Sequence, residues 1–196
     1  MNSSAAAPRD RFITATLTLL REGGLSAAGL NEVVALAQAP KGSLYHYFPA
    51  GKNQMVGAAI EVYREAVARQ ITQALEGSAT LRYRVTRVFK NIERSMIETQ
   101  FSQSCAVGAV VLDLKKGDDE LRNVCLSALT YWSDIAGSQL IELPYKQRAA
   151  AGRVLVNLLE GAQLAARAAA SSRPLREACV FFLEYAQAQV AATSQT

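Results

Sequence analysis

The chain has 196 residues, a formal net charge of +4, 50% hydrophobic residues, one histidine and three cysteines. This hydrophobic content and moderate charge exclude an intrinsically disordered chain, and the length suffices for one or two small domains with a buried core. Charges interrupt every apolar stretch before it reaches the length of a membrane span, and the N-terminus lacks the features of a secretory signal, so we expect a cytoplasmic protein without membrane segments.

The first two predicted helices come from apolar periodicity. One is expected over about 8–22 and ends at the glycine pair Gly23-Gly24. The other is expected from about Gly29 to Leu36, where apolar residues recur at helical spacing and form a single stripe: Leu30, Val33, Val34 and Ala37.

Residues 38–52 are the most informative part of the chain. A tight turn at Gln38-Ala39 is expected to lead into a short helix over about Pro40 to Tyr47, because proline suits the first helical turn. Leu44 and Phe48 lie four residues apart, so they share a face and can anchor this helix on a core. The other side chains face outward and are able to bond phosphates or base edges: Lys41, Ser43, Tyr45, His46 and Tyr47.

Two short helices joined by a tight turn, with a polar outer face on the second, are typical of the helix-turn-helix unit that lays its second helix in the major groove of DNA. The charge supports this only weakly, since residues 1–60 hold five lysines and arginines against three acidic residues. The prediction of a double-stranded DNA partner therefore depends on the spacing of specific residues rather than on charge.

The remaining chain is also predicted to be helical, because Ala, Leu, Arg, Gln and Glu dominate it. A fourth helix from about Lys52 to Leu75 is long enough to bridge an N-terminal head and a C-terminal body. Five further helices are expected over about 79–99, about 106–115, from the acidic residues 118–120 onward, about 146–169 and about 174–192. The fold class is therefore predicted to be all-α, with about nine helices.

The run Lys41–Pro49, followed by Lys52, resembles the recognition-helix motif of TetR-type transcriptional regulators. One departure is Gln38, where members of this family usually have glycine because the turn can need a positive φ. The C-terminal part is similar to the ligand domain of the branch that includes repressors of multidrug-efflux and lincomycin-resistance genes and flavonoid-responsive repressors. The resemblance spans nearly the whole chain, through Phe12, Ala15, Leu19, Leu20 and Gly23-Gly24 upstream, and residues 105–113, 120–122, Trp132 and 159–167 downstream.

This resemblance implies an N-terminal three-helix, helix-turn-helix DNA-binding domain over residues 1–50 and a C-terminal ligand-binding and dimerisation domain over residues 51–196. Lys41 and Lys52 are expected at phosphates, and Asn31 on the outer face of the second helix. A core position for one tyrosine, or a buried histidine, is the alternative for the aromatic members. The predicted DNA-binding residues are Asn31, Lys41, Gly42, Ser43, Tyr45, His46, Tyr47 and Lys52.

The last two predicted helices carry more apolar surface than a one-sided surface helix needs, and small residues such as Gly152 and Gly161 allow close helix approach. Together with the resemblance, this implies a homodimer in which both helices meet their copies as a four-helix bundle across a two-fold axis. A central place in the core of the single chain is the alternative. The predicted interface residues are Leu155, Leu158, Leu159, Ala162, Ala165, Phe181, Phe182 and Tyr185.

The resemblance also implies a pocket for a small-molecule effector in the C-terminal domain. Aromatic and soft side chains, with three polar residues on an otherwise apolar helix, are the candidates to line it. An ordinary core position or a buried hydrogen bond is the alternative for each of them. The predicted ligand-binding residues are Phe89, Met96, Phe101, Tyr131, Trp132, Asn157, Glu160 and Gln163.

Two other groups of side chains suggest no separate site. Cys105, Cys125 and Cys179 lack metal-ligand spacing and the chain has one histidine, so we expect no metal, no cofactor and three reduced, mostly buried thiols. The cations of the fifth helix are expected to form a solvated face, with an anionic ligand or a DNA-flank contact as the alternative. They are Arg82, Arg84, Arg87, Lys90 and Arg94.

These patterns predict a ligand-responsive transcriptional regulator, a repressor released from a palindromic operator by a small, largely apolar effector. The alternative is a helical protein–protein interaction module that does not bind DNA. The two differ in salt dependence, because phosphate contacts release counterions and protein docking does not. An enzyme is not expected, since no Ser/His/Asp set, phosphate-binding glycine loop or paired-carboxylate context is visible.

Overall fold

A computed structural model describes residues 7–77 and 79–193. Within this part of the chain there are nine α-helices and no strand, which confirms the predicted all-α fold. Residues 1–6, on which the expectation about a secretory signal depends, lie outside the described residues. The helices are α1 (Pro8–Ala27), α2 (Leu30–Ala37), α3 (Lys41–Tyr47), α4 (Lys52–Leu75), α5 (Leu81–Glu98), α6 (Ala106–Asp113), α7 (Asp119–Gln139), α8 (Tyr145–Ala169) and α9 (Arg173–Thr193).

A kink interrupts the first helix where the sequence predicts its end. The regular helix stops at Gly23-Gly24, as predicted, and a further short helical piece follows the kink to Ala27. Gly23 has φ −149° and ψ 21°, and Gly24 has φ 67° and ψ −157°, so both leave the helical region. Glycine tolerates the positive φ of Gly24, which is why the helix can break at this pair.

Packing divides the chain into two compact units. The first combines Met1–Glu65 with Cys105–Ala128, and the second combines Ala66–Ser104 with Leu129–Thr196. The division by packing therefore falls within α4 and α7. The functional boundary between residues 50 and 51 stays a prediction, because packing does not test which residues bind DNA or ligand.

The core of the first unit anchors α3. Leu44 and Phe48 are fully buried in a cluster with Phe12, Val33 and Met55, as their four-residue spacing predicted. The rings of Phe12 and Phe48 meet edge to face with centroids 6.5 Å apart. Because α1 and α2 hold one side of α3 in this way, its opposite side is turned toward solvent.

The turn between α2 and α3 has the strained geometry that the sequence suggested. Gln38 adopts φ 49° and ψ 41°, a left-handed conformation that costs a non-glycine residue about 1–2 kcal/mol. The Arg11 guanidinium of α1 donates to the carbonyl oxygen of Ala37 at 2.9 Å and to that of Gln38. A cation at the C-terminus of α2 satisfies carbonyls that have no helical partner, which holds this turn in place.

Arg84 ties several elements of the second unit together. Its side chain is 3% exposed and donates to the carbonyl oxygens of Leu75 at 2.6 Å and Gln139 at 2.9 Å, which end α4 and α7. It also pairs with both carboxylate oxygens of Glu142, at 2.5 and 2.6 Å. Arg87 donates to further carbonyls near the end of α4. The prediction of a solvated cationic face on the fifth helix is therefore wrong for Arg84, because helix C-termini need these donors.

A backbone crossing joins α7 and α8 in the same unit. A Cβ on Gly152 would collide with the carbonyl oxygen of Ser133 and lie 2.6 Å from the amide nitrogen of Gly137. A Cβ on Gly137 would lie 2.8 Å from the carbonyl oxygen of Arg148. Gly152 thus serves packing within one chain, whereas Gly161 faces open space.

Candidate nucleic-acid interface

The surface of α3 is polar and exposed where the sequence predicted a DNA-reading face. Tyr45 is 48% exposed, and Lys41, Gly42 and His46 are also exposed, while Leu44 between them is buried. The alternative of a buried histidine is therefore wrong for His46, and a core position is wrong for Tyr45. The side chains on this surface offer a cation, a phenol and an imidazole to one partner.

Tyr47 has a mixed environment. Its ring is half-buried and packs against the core of the first unit, with the His46 ring edge-on at a centroid distance of 5.1 Å. A tyrosine placed in this way keeps an apolar body in the core while its hydroxyl can reach the surface. Its predicted DNA contact therefore concerns the hydroxyl rather than the whole ring.

Asn31 and Lys41 connect α2 and α3 on the same surface. The Lys41 ammonium donates to the Asn31 side-chain oxygen at 3.1 Å, and both residues are exposed. An ammonium has three donors, so two remain for a phosphate when one is held by the amide. This bond would orient Lys41 for the predicted phosphate contact and so reduce the side-chain entropy lost on binding.

Neither the packing nor the backbone conformation of the described residues requires a glycine at position 42. A Cβ there would meet nothing within 4 Å, and its φ is not positive. Glycine inside a helix costs about 1 kcal/mol relative to alanine. Close approach of the α3 backbone to a phosphate is a use for the missing side chain that agrees with the prediction.

Lys52 occupies the first position of α4. Its ammonium donates to the carbonyl oxygen of Leu25 in α1 at 2.5 Å and is half-buried. The predicted phosphate contact would use its other two donors. The interaction with Leu25 was not predicted, because residues 27 positions apart give no sequence signal of contact.

All eight predicted ligand-binding residues lie in the second unit, but in different environments. Phe89, Met96 and Trp132 are buried and Asn157 is exposed. Gln163 donates to the carbonyl oxygen of Leu159 at 3.3 Å, which is the hydrogen-bonded alternative for this residue. Phe101 and Glu160 are half-buried and Tyr131 is exposed. The effector pocket stays a prediction.

The predicted dimer residues divide into a buried and an accessible group. Four of them pack inside the chain's own core, so in this conformation they offer no surface to a second copy: Leu155, Leu159, Ala162 and Phe182. Helical spacing identifies an apolar face but not the partner that covers it, which explains the mixture. The accessible members are Leu158, Ala165, Phe181 and Tyr185.

The three cysteines form no disulfide with one another, and all three are buried. Burial raises the pKa of the Cys125 thiol to about 11, so this thiol is protonated at neutral pH and a weak nucleophile. Burial also raises the pKa of Cys179. Within the residues that the structure describes, no group of His, Cys, Asp and Glu side chains could hold a metal ion. No helix there combines the length and hydropathy that a membrane crossing requires.

Known proteins resemble both parts of this chain. Residues 12–59 match the model described as bacterial regulatory proteins, tetR family, and residues 82–179 match transcriptional regulator LmrA/YxaF-like, C-terminal domain. The HTH-type transcriptional regulator LmrA of Bacillus subtilis is 26% identical over 169 residues, covering 85% of this chain and 90% of LmrA. An HTH-type transcriptional regulator of Mycobacterium tuberculosis is 29% identical over 177 residues, covering 86% and 88%.

A solved structure agrees with these matches. The regulatory protein TetR from Rhodobacter sphaeroides superposes with a TM-score of 0.83 and 28% identity, covering 90% of this chain and 97% of that one. The two family models together include the exposed α3 surface and most of the second unit. The chain belongs to the TetR family of transcriptional regulators, with an N-terminal DNA-binding domain and an LmrA/YxaF-like C-terminal domain.

Proposed function

We propose that this regulator is a cytoplasmic repressor that binds a palindromic operator as a homodimer and leaves it when a small, largely apolar effector binds the C-terminal domain. The exposed polar surface of α3, anchored from below by Leu44 and Phe48, is the observation that carries the proposal. A helix fits the major groove, which is about 12 Å wide and presents a distinct donor and acceptor pattern for each base pair.

The side chains on this surface suit two kinds of DNA contact, one to phosphates and one to base edges. Lys41 and Lys52 supply cations for phosphates, which position the protein but carry no sequence information. Ser43, Tyr45 and His46 supply hydroxyl and imidazole groups along α3 that can bond base edges. Two copies of α3 about 34–36 Å apart would contact successive major grooves on one side of the duplex.

Exposed apolar side chains on α8 and α9 support the dimer. Leu164 is 54% exposed, Val180 55% and Phe181 58%. On α9, Val180 and Phe181 form a shallow depression bordered by charged residues, an arrangement of apolar centre and polar rim that is typical of protein interfaces. A two-fold interface on this face would cover these side chains with their own copies.

Phe181→Asp should convert the dimer to a monomer, because two carboxylates would be buried opposite apolar partners near the two-fold axis. Sedimentation equilibrium of the wild type and the variant measures this at about 10 µM, where a dimer with a Kd near 1 nM is complete. Ile141→Asp is the matched control, since Ile141 is 61% exposed but lies between α7 and α8. A dimeric Phe181→Asp protein, or a monomeric wild type, would refute this interface.

The effector part of the proposal can be tested through Trp132, the single tryptophan of the chain. Its ring is buried in the second unit, so its fluorescence reports on that unit alone. Small aromatic compounds that change this fluorescence should also release a bound DNA duplex at constant salt, because a ligand shifts an equilibrium by its difference in affinity for two states. Compounds that bind near Trp132 without any effect on DNA affinity would argue against effector control.

The DNA-binding part is tested by titrating the protein into labelled duplexes that cover the upstream region of its own coding sequence. Fluorescence anisotropy should give an affinity that falls steeply with salt, because each phosphate contact releases counterions. Saturable binding to one fragment, with a linear dependence of log K on log salt, is the expected result. Absence of salt-sensitive binding to any fragment would instead favour a helical module that docks proteins.

A further inference from the structure

A carboxylate from α6 holds the broken end of α1. One oxygen of Asp113 accepts hydrogen bonds from the backbone N–H groups of Leu25 at 2.7 Å and Ser26 at 3.3 Å. These groups begin the helical turn after the kink, where N–H groups have no helical partner. Asp113 therefore acts as an N-cap supplied by another helix, and hydrogen bonds to an ionised acceptor are the stronger kind.

Gly24 makes room for this carboxylate. Its φ is 67°, and a Cβ on it would collide with a carboxylate oxygen of Asp113 and lie 3.3 Å from the carbonyl oxygen of Ala109. Both the positive φ at the kink and the position of the Asp113 carboxylate therefore require a residue without a side chain at position 24. The close fit accompanies packing of α1 along α6 within the first unit.

The same peptide segment is held from its other side by Lys52. While the Ser26 N–H donates to Asp113 at 3.3 Å, the Leu25 carbonyl of the same peptide group accepts from the Lys52 ammonium at 2.5 Å. A hydrogen-bonded chain therefore runs from the Asp113 carboxylate through the Leu25–Ser26 peptide group of α1 to Lys52 at the start of α4. Hydrogen bonds in such chains polarise and strengthen one another.

We propose that Asp113 is a positioning residue for DNA binding, which fixes the Lys52 ammonium at the phosphate backbone through the Leu25 segment. The inference rests on the proposed function, because Lys52 is expected to contact phosphate. An ammonium already held in place loses less entropy when it meets a phosphate than a free lysine does. Asp113 thereby strengthens DNA binding although it carries the same sign of charge as DNA.

The direction in which Asp113→Asn changes the DNA affinity distinguishes a positioning role from a simple effect of net charge. Removing an acidic residue lowers the negative charge of the protein, which by itself should tighten binding to DNA. If Asp113 positions Lys52, Asp113→Asn should do the opposite. Asp118→Asn is the matched control, because it makes the same change of charge while the Asp118 carboxylate accepts a local hydrogen bond from the Lys115 N–H, three residues away.

The experiment uses a duplex that the wild-type dimer selects from random-sequence DNA, with affinities measured by anisotropy at several salt concentrations. Asp113→Asn should weaken binding roughly tenfold, an effect comparable to the contribution of one hydrogen bond to a charged group. The slope of log K against log salt should flatten by about 0.9 for each phosphate that the variant no longer neutralises. Asp118→Asn should bind as the wild type does or more tightly.

A double-mutant cycle shows whether the effect passes through Lys52. In a Lys52→Gln background, Asp113→Asn should change the affinity less than about twofold, because the group it positions is gone. Hydrogen exchange at the Leu25 and Ser26 amides should accelerate in Asp113→Asn while circular dichroism shows an intact fold. If Asp113→Asn does not fold, Asp113→Glu takes its place, and the same weakening is expected because the longer side chain displaces the carboxylate.

Two results would overturn the inference alone. One is an affinity of the Asp113 variant equal to that of Asp118→Asn, with an unchanged salt slope. The other is an equal weakening in the presence and absence of Lys52, which would mean that Asp113 acts only on the stability of the first unit. A wild type that selects no duplex would instead refute the proposed function.

Discussion

Replacing Lys41 and Tyr45 together by alanine should weaken DNA binding by at least about 100-fold while the dimer and the fold stay intact. Each substitution removes a side chain from the exposed surface of α3, and a dimer carries each of them twice. Lys41 is expected at a phosphate and Tyr45 at a phosphate or base edge, contacts that each contribute on the order of 1 kcal/mol or more. The affinity for a selected duplex, measured by anisotropy, checks this result.

The fold should survive this double substitution because neither side chain belongs to the core. Tyr45 is 48% exposed and Lys41 is exposed, and surface substitutions usually change stability by less than about 0.5 kcal/mol. The chain offers a matched control in Tyr145→Ala with Lys146→Ala. Tyr145 is 84% exposed at the start of α8, so this pair removes the same two residue types outside the helix-turn-helix. Equal effects on affinity in the two double variants would show that α3 is not the DNA-reading helix.

Gly152→Ala should destabilise the protein by about 3 kcal/mol or more, because overfilling a packed site forces the backbone to move. The added methyl group would collide with the Ser133 carbonyl oxygen where α7 and α8 cross. Neither helix can yield by rotating a side chain, since the obstacles on α7 are backbone atoms of Ser133 and Gly137. Urea denaturation followed by circular dichroism measures the change in the free energy of unfolding.

Gly57→Ala is the control for this prediction. Gly57 lies inside α4, and a Cβ there would meet nothing within 4 Å. Alanine favours a helix over glycine by about 1 kcal/mol, so Gly57→Ala should be neutral or stabilising. If the two variants unfolded at the same urea concentration, the close crossing of α7 and α8 would be refuted.

The helix-turn-helix could be predicted because its determinants are local. Leu44 and Phe48 reveal the buried side of α3 by their spacing, and the polar residues between them are then left outside. The sequence marks Gln38 as a place that can need positive φ, and its φ of 49° agrees. Each of these inferences uses residues within about one or two helical turns of one another.

Interactions between residues that are far apart along the chain leave no recognisable pattern in the amino-acid sequence. Asp113 and Leu25 are 88 positions apart, and Arg84 and Glu142 are 58 apart, so no periodicity links them. In the sequence, Arg84 is simply one of several cations on the fifth helix. Its spacing cannot show that the C-terminal ends of two other helices lie beside it. Leu155 and Phe182 were predicted at the dimer interface for a similar reason, since an apolar stripe does not say whether it meets its own chain or a copy.

The central claim is that two copies of α3 read successive major grooves as a symmetric pair. Selection of binding sites from random-sequence DNA by the wild-type protein, followed by sequencing, tests this claim most directly. We expect enrichment of an inverted repeat whose half-site centres are about 10 base pairs apart, or a multiple of one helical turn. Enrichment of a single unsymmetrical site, or no enrichment, would contradict the claim.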